Sequence, residues 1–235
     1  MRLPRLHAIA ADEVLDRGDF LELATAVARA GGGELALHLR AHGRAGGALL
    51  ALAERLAPAA ADAGAWLVLN DRVDVALALA PGLRPGALRP PGLRRGVQLG
   101  ARSLPVGAVR ALVGPALSIG YSAHSADEAV TAAADGADWL LLGTIYATPS
   151  HPGRAGAGPA LVAQTAARLQ AAARAGARHP PLIAIGGVTP GRVGELRAAG
   201  AHGVAVLRGL WQADDPVAAV AAYLVALDDL VESRG

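Results

Sequence analysis

Eight short apolar runs, each followed by a longer amphipathic stretch, constrain this chain more than any other feature. The runs cover residues 6–10, 34–40, 66–70, 96–100, 117–122, 139–143, 182–186 and 203–207. Each is near-continuously apolar and short, the pattern of a strand covered on both faces in a parallel sheet. The alanine-rich stretches 20–30, 44–62, 73–79, 105–113, 126–135, 159–175, 190–199 and 216–231 read as helices. Pro105, Pro159, Pro190 and Pro216 fall in first turns, where a missing N–H costs nothing. Eight strand–helix alternations in 235 residues predict an α/β protein, a single closed (β/α)8 TIM barrel over residues 1–235.

The joints repeat as well. Gly32, Gly64, Gly136 and Gly200 each lie between a helix and the next strand, where glycine closes a helix. These joints belong to the end of a barrel that serves stability. The Pro/Gly/Arg stretch 81–95 is the longest loop-like segment before the fourth strand.

Composition narrows the function classes. Hydrophobic residues make up 53% of the chain and aromatics only 3%, so a large core must be built from Ala, Leu and Val. All 22 basic side chains are arginine; there is no lysine. A net charge of +2, with no basic run interleaved with aromatics, argues against nucleic-acid binding. The absence of cysteine excludes a disulfide framework, a thiolate nucleophile and a thiolate metal site. Residues 1–7 lack a signal-type apolar region and no apolar run is long enough to span a bilayer, so no membrane association and a cytoplasmic location are expected.

In a parallel barrel, chemistry is done where strands end and helices begin. Those positions supply His38, Arg40 and His42 after the second strand, Asn70 and Asp71 after the third, Gln98 and Ser103 after the fourth, and Ser122 and His124 after the fifth. The loop 143–158 adds Thr144, Tyr146, Thr148, Ser150 and His151, and its glycines permit lid-like motion. Gly186-Gly187 and Leu207-Arg208-Gly209 follow the last two strands, the usual place for a backbone phosphate cradle; the competing reading is two tight turns that need glycine. Gly209-Leu210-Trp211 suits the start of a short extra helix. His124 follows a strand directly, and an imidazole there suits a group that takes and returns a proton. Arg40 suits a carboxylate or phosphate clamp, or a plain surface arginine. His38 shares a strand face with it. Nothing in the spacing of His38, His42 and Asp71 demands a metal. Ser125 with Glu128 forms a capping-box pattern that starts a helix right after His124.

The residues His38-Leu39-Arg40, Asn70-Asp71-Arg72-Val73-Asp74, Val97-Gln98-Leu99, Gly120-Tyr121-Ser122-Ala123-His124-Ser125 and Ala184-Ile185-Gly186-Gly187-Val188-Thr189-Pro190 resemble the thiamine phosphate synthase/TenI superfamily over nearly the whole chain. The resemblance implies a (β/α)8 barrel with one of two activities. Synthases join a pyrimidine pyrophosphate to a thiazole phosphate, with magnesium on the pyrophosphate. TenI-type proteins aromatise the thiazole phosphate carboxylate tautomer.

Several positions depart from the synthase pattern. His38 and His42 stand in place of Gln and Lys, Gln98 in place of His, Ser103 in place of an acidic magnesium ligand, and His151 in place of Lys. Those losses leave the site under-charged for a pyrophosphate leaving group. The expectation is therefore a thiazole tautomerase with no metal or cofactor. His124 would be the proton shuttle and Arg40 would grip the substrate carboxylate. His38, Asn70 and Ser122 would line the pocket, with Gly187, Leu207 and Arg208 around the phosphate of the phosphorylated thiazole. The alternatives are a magnesium-dependent synthase, and a non-catalytic regulator that binds thiazole or thiamine phosphate. A homo-oligomer is compatible with the resemblance, without an identifiable interface.

Overall fold

The structure, a computed structural model, describes residues 2–79, 92–148 and 156–229. The apolar runs form β1 (Leu6–Ala11), β2 (Leu35–Arg40), β3 (Trp66–Asn70), β4 (Arg94–Leu99), β5 (Ser118–Ala123), β6 (Trp139–Leu142), β7 (Leu182–Ile185) and β8 (Gly203–Val206). All neighbours pair in parallel, and β1 pairs with both β2 and β8, so the sheet closes in sequence order. The (β/α)8 expectation is met.

The helices are α1 (Asp12–Leu15), α2 (Phe20–Gly31), α3 (Gly46–Ala63), α4 (Val73–Ala78), α5 (Val106–Val113), α6 (Ala126–Ala134), α7 (Gly158–Arg174), α8 (Pro190–Ala198), α9 (Arg208–Trp211) and α10 (Pro216–Asp228). Two elements match local chemistry read from the sequence. Ser125 caps α6 by accepting from the Glu128 N–H, while the Glu128 carboxylate accepts from the His124 N–H rather than from the cap residue itself. The extra helix after β8 is α9, beginning one residue earlier than expected, at Arg208.

Side-chain alternation divides the apolar residues into two sets. Leu6, Ala8, Leu35, Leu37, Leu39 and Leu67 face outward under the helices, in the larger core. Ile9, Ala36, Trp66, Val68, Trp139, Leu141, Ile183 and Ala205 fill the barrel interior. Since side chains alternate with period two, His7 on β1, His38 and Arg40 on β2, Asn70 on β3, and Ser122 and His124 at the end of β5 share the inward parity.

An interior with so few aromatics still houses two tryptophans, Trp66 and Trp139, edge to face with ring centroids 6.1 Å apart. Glycines make the room. A Cβ at Gly120 would lie 2.2 Å from Trp139 Nε1 and 2.3 Å from Gln98 Oε1; one at Gly96 would lie 2.5 Å from the Trp139 ring. Gly120→Ala is therefore expected to destabilise by about 1–3 kcal/mol through overpacking, measured by urea unfolding.

At the far end of the barrel Asp138 accepts from Arg110, Arg178 and the Ile119 N–H, tying the starts of β5 and β6 together. This fits the stabilising role expected of that end.

Candidate active site

The end of β3 brings the first pair together. Asn70 is paired in register with Gln98, and Asp71, just beyond, donates its N–H to the Gln98 carbonyl at 2.9 Å. That turn holds Asp71 in the left-handed region at φ 64°. On the next loop, Ser103 donates its N–H to the Gly100 carbonyl, and its Oγ accepts the Gly100 N–H at 2.8 Å. This tight turn aims the Ser103 hydroxyl at the Asp71 carboxylate, to which it donates. The position where an acidic residue was counted as lost thus carries an oxygen already in contact with Asp71.

A second chain crosses the barrel. Trp139 Nε1 donates to Gln98 Oε1 at 2.8 Å, and Gln98 Nε2 donates to Ser122 Oγ at 3.0 Å. The indole can only donate, so the Gln98 amide has one orientation. Ser122 accepts from it and keeps its hydroxyl hydrogen to give elsewhere.

A third chain lies deeper. His7 Nε2 is 3.3 Å from the Pro4 carbonyl, His7 Nδ1 is 2.9 Å from His38 Nε2, and His38 Nδ1 is 3.1 Å from the Asn70 amide. Both imidazoles are sealed, at 1% and 0% exposure. Burial pushes His38 down to about 4, with the Asn70 contact opposing it. It pushes His7 well below the usual histidine value, the neighbouring His38 adding to the effect. Both are neutral at physiological pH. His38, expected in the pocket lining, has no exposed surface; it reaches the mouth only through Asn70.

His124 lies just past β5, exposed, with Nδ1 2.6 Å from the Gly143 carbonyl. A carbonyl can only accept, so Nδ1 donates to it, and in the neutral ring Nε2 is then the nitrogen with the lone pair. Arg40 ends β2 half-buried and makes no hydrogen bond or ion pair with another described residue.

The β7 and β8 loops carry the expected cradle residues. Gly186 and Gly187 have φ 104° and 61°. Tyr146 donates its N–H to the Gly186 carbonyl, and a Cβ at Gly187 would lie 2.8 Å from the Ala147 carbonyl. These glycines therefore admit the β6 loop, a structural need that stands beside any phosphate role. Arg192 lies over the Tyr146 ring at 4.3 Å and donates to the Gly187 carbonyl at 2.7 Å. Arg208, at the start of α9, donates to Thr148 Oγ1 at 3.3 Å. Tyr223 of α10 donates to the Val188 carbonyl at 2.9 Å, and a Cβ on Gly209 would meet its hydroxyl at 2.8 Å, so one buried phenol pins both loops. Tyr223→Phe is expected to cost about 1 kcal/mol, one net hydrogen bond, read from the thermal midpoint.

The remaining positions separate. His42 is exposed and tied through its own N–H to Asp12, while His38 is buried. Among the described residues, no three His, Cys, Asp or Glu side chains are grouped to hold a metal. Residues 149–155 of the 144–158 loop, Ser150 and His151 among them, lie outside the described residues, as does 81–91. Among the described residues no helix is long and apolar enough to cross a membrane. Sequence reasoning missed His7, which enters the site network only through the barrel's cross-strand geometry.

A closed parallel barrel whose polar groups gather at the C-terminal ends of its strands is the framework of a barrel enzyme. Residues 6–210 match the family model described as thiamine monophosphate synthase, and the chain belongs to that family. It is 42% identical over 176 residues to the thiamine-phosphate synthase of Salinispora arenicola (strain CNS-205), covering 75% of this chain and 74% of that one. It is 37% identical over 233 residues to the thiamine-phosphate synthase of Arthrobacter sp. (strain FB24), covering 92% of each. The structure of thiamine phosphate pyrophosphorylase from Pyrococcus furiosus shares the fold, with a TM-score of 0.75 at 23% identity over 97% of this chain and 96% of that one.

Proposed function

We propose that this protein is a thiamine-phosphate synthase, which couples a pyrimidine methyl pyrophosphate to a thiazole phosphate. The likeness to relatives of that name across 92% of the chain carries the reading, ahead of the tautomerase expected from the sequence.

The magnesium that this chemistry implies is compatible with the residues present. Magnesium is commonly held by one or two carboxylates plus substrate phosphates, keeping several waters. The Asp71 carboxylate with the Ser103 hydroxyl beside it fits that demand, and the ion they would hold supplies charge neutralisation to the leaving pyrophosphate.

Arg40 adds a fixed cation at the mouth for the pyrophosphate. The backbone around Gly187, Leu207 and Arg208 holds the thiazole phosphate. Ser122 and Asn70 orient the rings from below. The thiazole nitrogen then attacks the pyrimidine methylene carbon; the new C–N bond forms as the C–O bond breaks and pyrophosphate departs with the electron pair. No protein side chain need form a covalent bond.

The tautomerase reading retains one specific support: His124 is oriented through Nδ1 on the Gly143 carbonyl, which leaves Nε2 as the nitrogen for moving a proton, and the chain has no lysine. The test is to supply both precursors with and without magnesium and separate the products by mass-resolved chromatography. Magnesium-dependent thiamine phosphate is expected. Aromatisation of the thiazole tautomer without magnesium, lost in His124→Ala and unaccompanied by coupling, would establish the tautomerase. Ligand binding with neither reaction would leave the regulator.

A further inference from the structure

We propose that His7 is a positioning residue of this site: acting through His38, it fixes which end of the Asn70 amide faces the barrel mouth. The inference rests on the mouth being the reaction site, as proposed above, and deepens it.

The chain begins at the Pro4 carbonyl, which can only accept. His7 Nε2, 3.3 Å away, must therefore carry a hydrogen to be well placed there. A neutral imidazole has one N–H, so His7 Nδ1 is left bare and accepts. Its neighbour at 2.9 Å, His38 Nε2, must then donate, and His38 Nδ1 is bare in turn. A bare nitrogen needs a donor opposite it. The group at 3.1 Å is the Asn70 amide, and the end that satisfies His38 is its NH2, reached by a half-turn of the amide from the placement with Oδ1 on His38. The Asn70 carbonyl oxygen is then the end left for the mouth, as an acceptor.

The reverse order is worse. If Asn70 Oδ1 accepts from His38 Nδ1–H, then His38 Nε2 accepts from His7 Nδ1–H. A bare His7 Nε2 then faces the Pro4 carbonyl, lone pair to lone pair. An additional proton would relieve that clash only by placing a cation in the barrel interior, where both rings are buried. Packing prevents the rings from escaping the choice: His7 sits against His38 and against Trp139, with ring centroids 5.1 and 6.0 Å apart. The neighbouring chain works in the same manner, with Trp139 fixing Gln98 and Gln98 fixing Ser122 as a group with a hydrogen to give. Together the two chains set the polarity of the pocket floor: an acceptor at Asn70, a donor at Ser122.

The direct test reads the tautomers. In the full-length protein labelled with ¹⁵N-histidine, long-range ¹H–¹⁵N correlations at neutral pH should show His7 and His38 both protonated on Nε2 and bare on Nδ1. Nδ1–H on either ring overturns the proposal. In Asn70→Asp, which offers only acceptors, His38 should gain a proton on Nδ1; an unchanged ring overturns it equally.

Kinetics give a second readout. His7→Phe keeps a ring but removes both partners, and kcat/KM should fall about tenfold, mostly through KM, the effect of one misdirected hydrogen bond. His7→Gln again offers a carbonyl to His38 and an N–H to Pro4, and should recover activity to within about twofold of wild type. Equal losses in both variants, with the His38 tautomer unmoved, would contradict a positioning role. The tautomers are read without substrate, so a failed coupling assay would overturn the reaction and leave this inference standing or falling by its own result.

Discussion

Asp71→Asn is expected to lower magnesium-dependent coupling by about 100- to 1000-fold, the scale seen when one preorganised electrostatic contact is removed. The substitution is chosen because it isolates charge. Asp71 occupies a left-handed backbone position at φ 64°, which asparagine also tolerates. Its N–H bond to Gln98 is a backbone bond and survives the change. The new amide oxygen can still accept from the Ser103 hydroxyl. What is lost is the negative charge, in a site where Ser103 stands instead of a second carboxylate. The loss should fall on kcat and be only partly recovered at high magnesium, while the melting midpoint stays near that of wild type. Steady-state rates over a magnesium series check this. Coupling undiminished in Asp71→Asn would remove Asp71 from any metal-holding role.

Acid should unfold this protein through its barrel interior. The buried His38 is held at about 4, against a reference of 6.5. The unfolded chain therefore binds a proton at a pH where the folded chain does not, and stability falls as pH falls. The contribution is fully present above about pH 6.5, is lost progressively below it, and levels off below about 4. Its size from His38 alone is about 3 kcal/mol. His7 acts in the same direction, its charged form disfavoured by burial, by His38 and by His202, while the Pro4 carbonyl opposes. The Trp139 ring packs on His7 and the Asn70 amide closes the far end. Urea unfolding between pH 7 and pH 4 checks the expectation. The His7→Phe, His38→Phe double variant should be less sensitive to pH across the same window. An equal slope in wild type and double variant would contradict this account.

Much of the barrel could be read from the chain because its strands are apolar on both faces. That signal depends on composition within a few residues, and all eight strands lie within two residues of their expected bounds. The errors have local causes. β4 begins at Arg94, two residues early, because Arg94 and Arg95 start the strand with polar side chains at the rim. The four-residue helix Asp12–Leu15 is too short to show a helical period. Placement was legible at or just past a strand end, as at Asn70, Ser122, His124 and Arg208. It was not legible where it depends on cross-strand neighbours. Ser103 stands far from Asp71 in the sequence, and only its turn places its hydroxyl on that carboxylate. His38 was counted as pocket lining, although β1 supplies His7 beside it and seals both rings. Which residues of two strands meet inside a barrel depends on register and tilt, and no single run of sequence carries that information.

The central claim is that this barrel forms a carbon–nitrogen bond between two precursors. The most direct measurement uses one preparation of the protein and compares two rates under the same conditions: thiamine phosphate formation from both precursors with magnesium, and aromatisation of the thiazole tautomer alone. The account predicts coupling that requires magnesium and releases one pyrophosphate per thiamine phosphate. Accelerated aromatisation with no coupling at any magnesium concentration would contradict it.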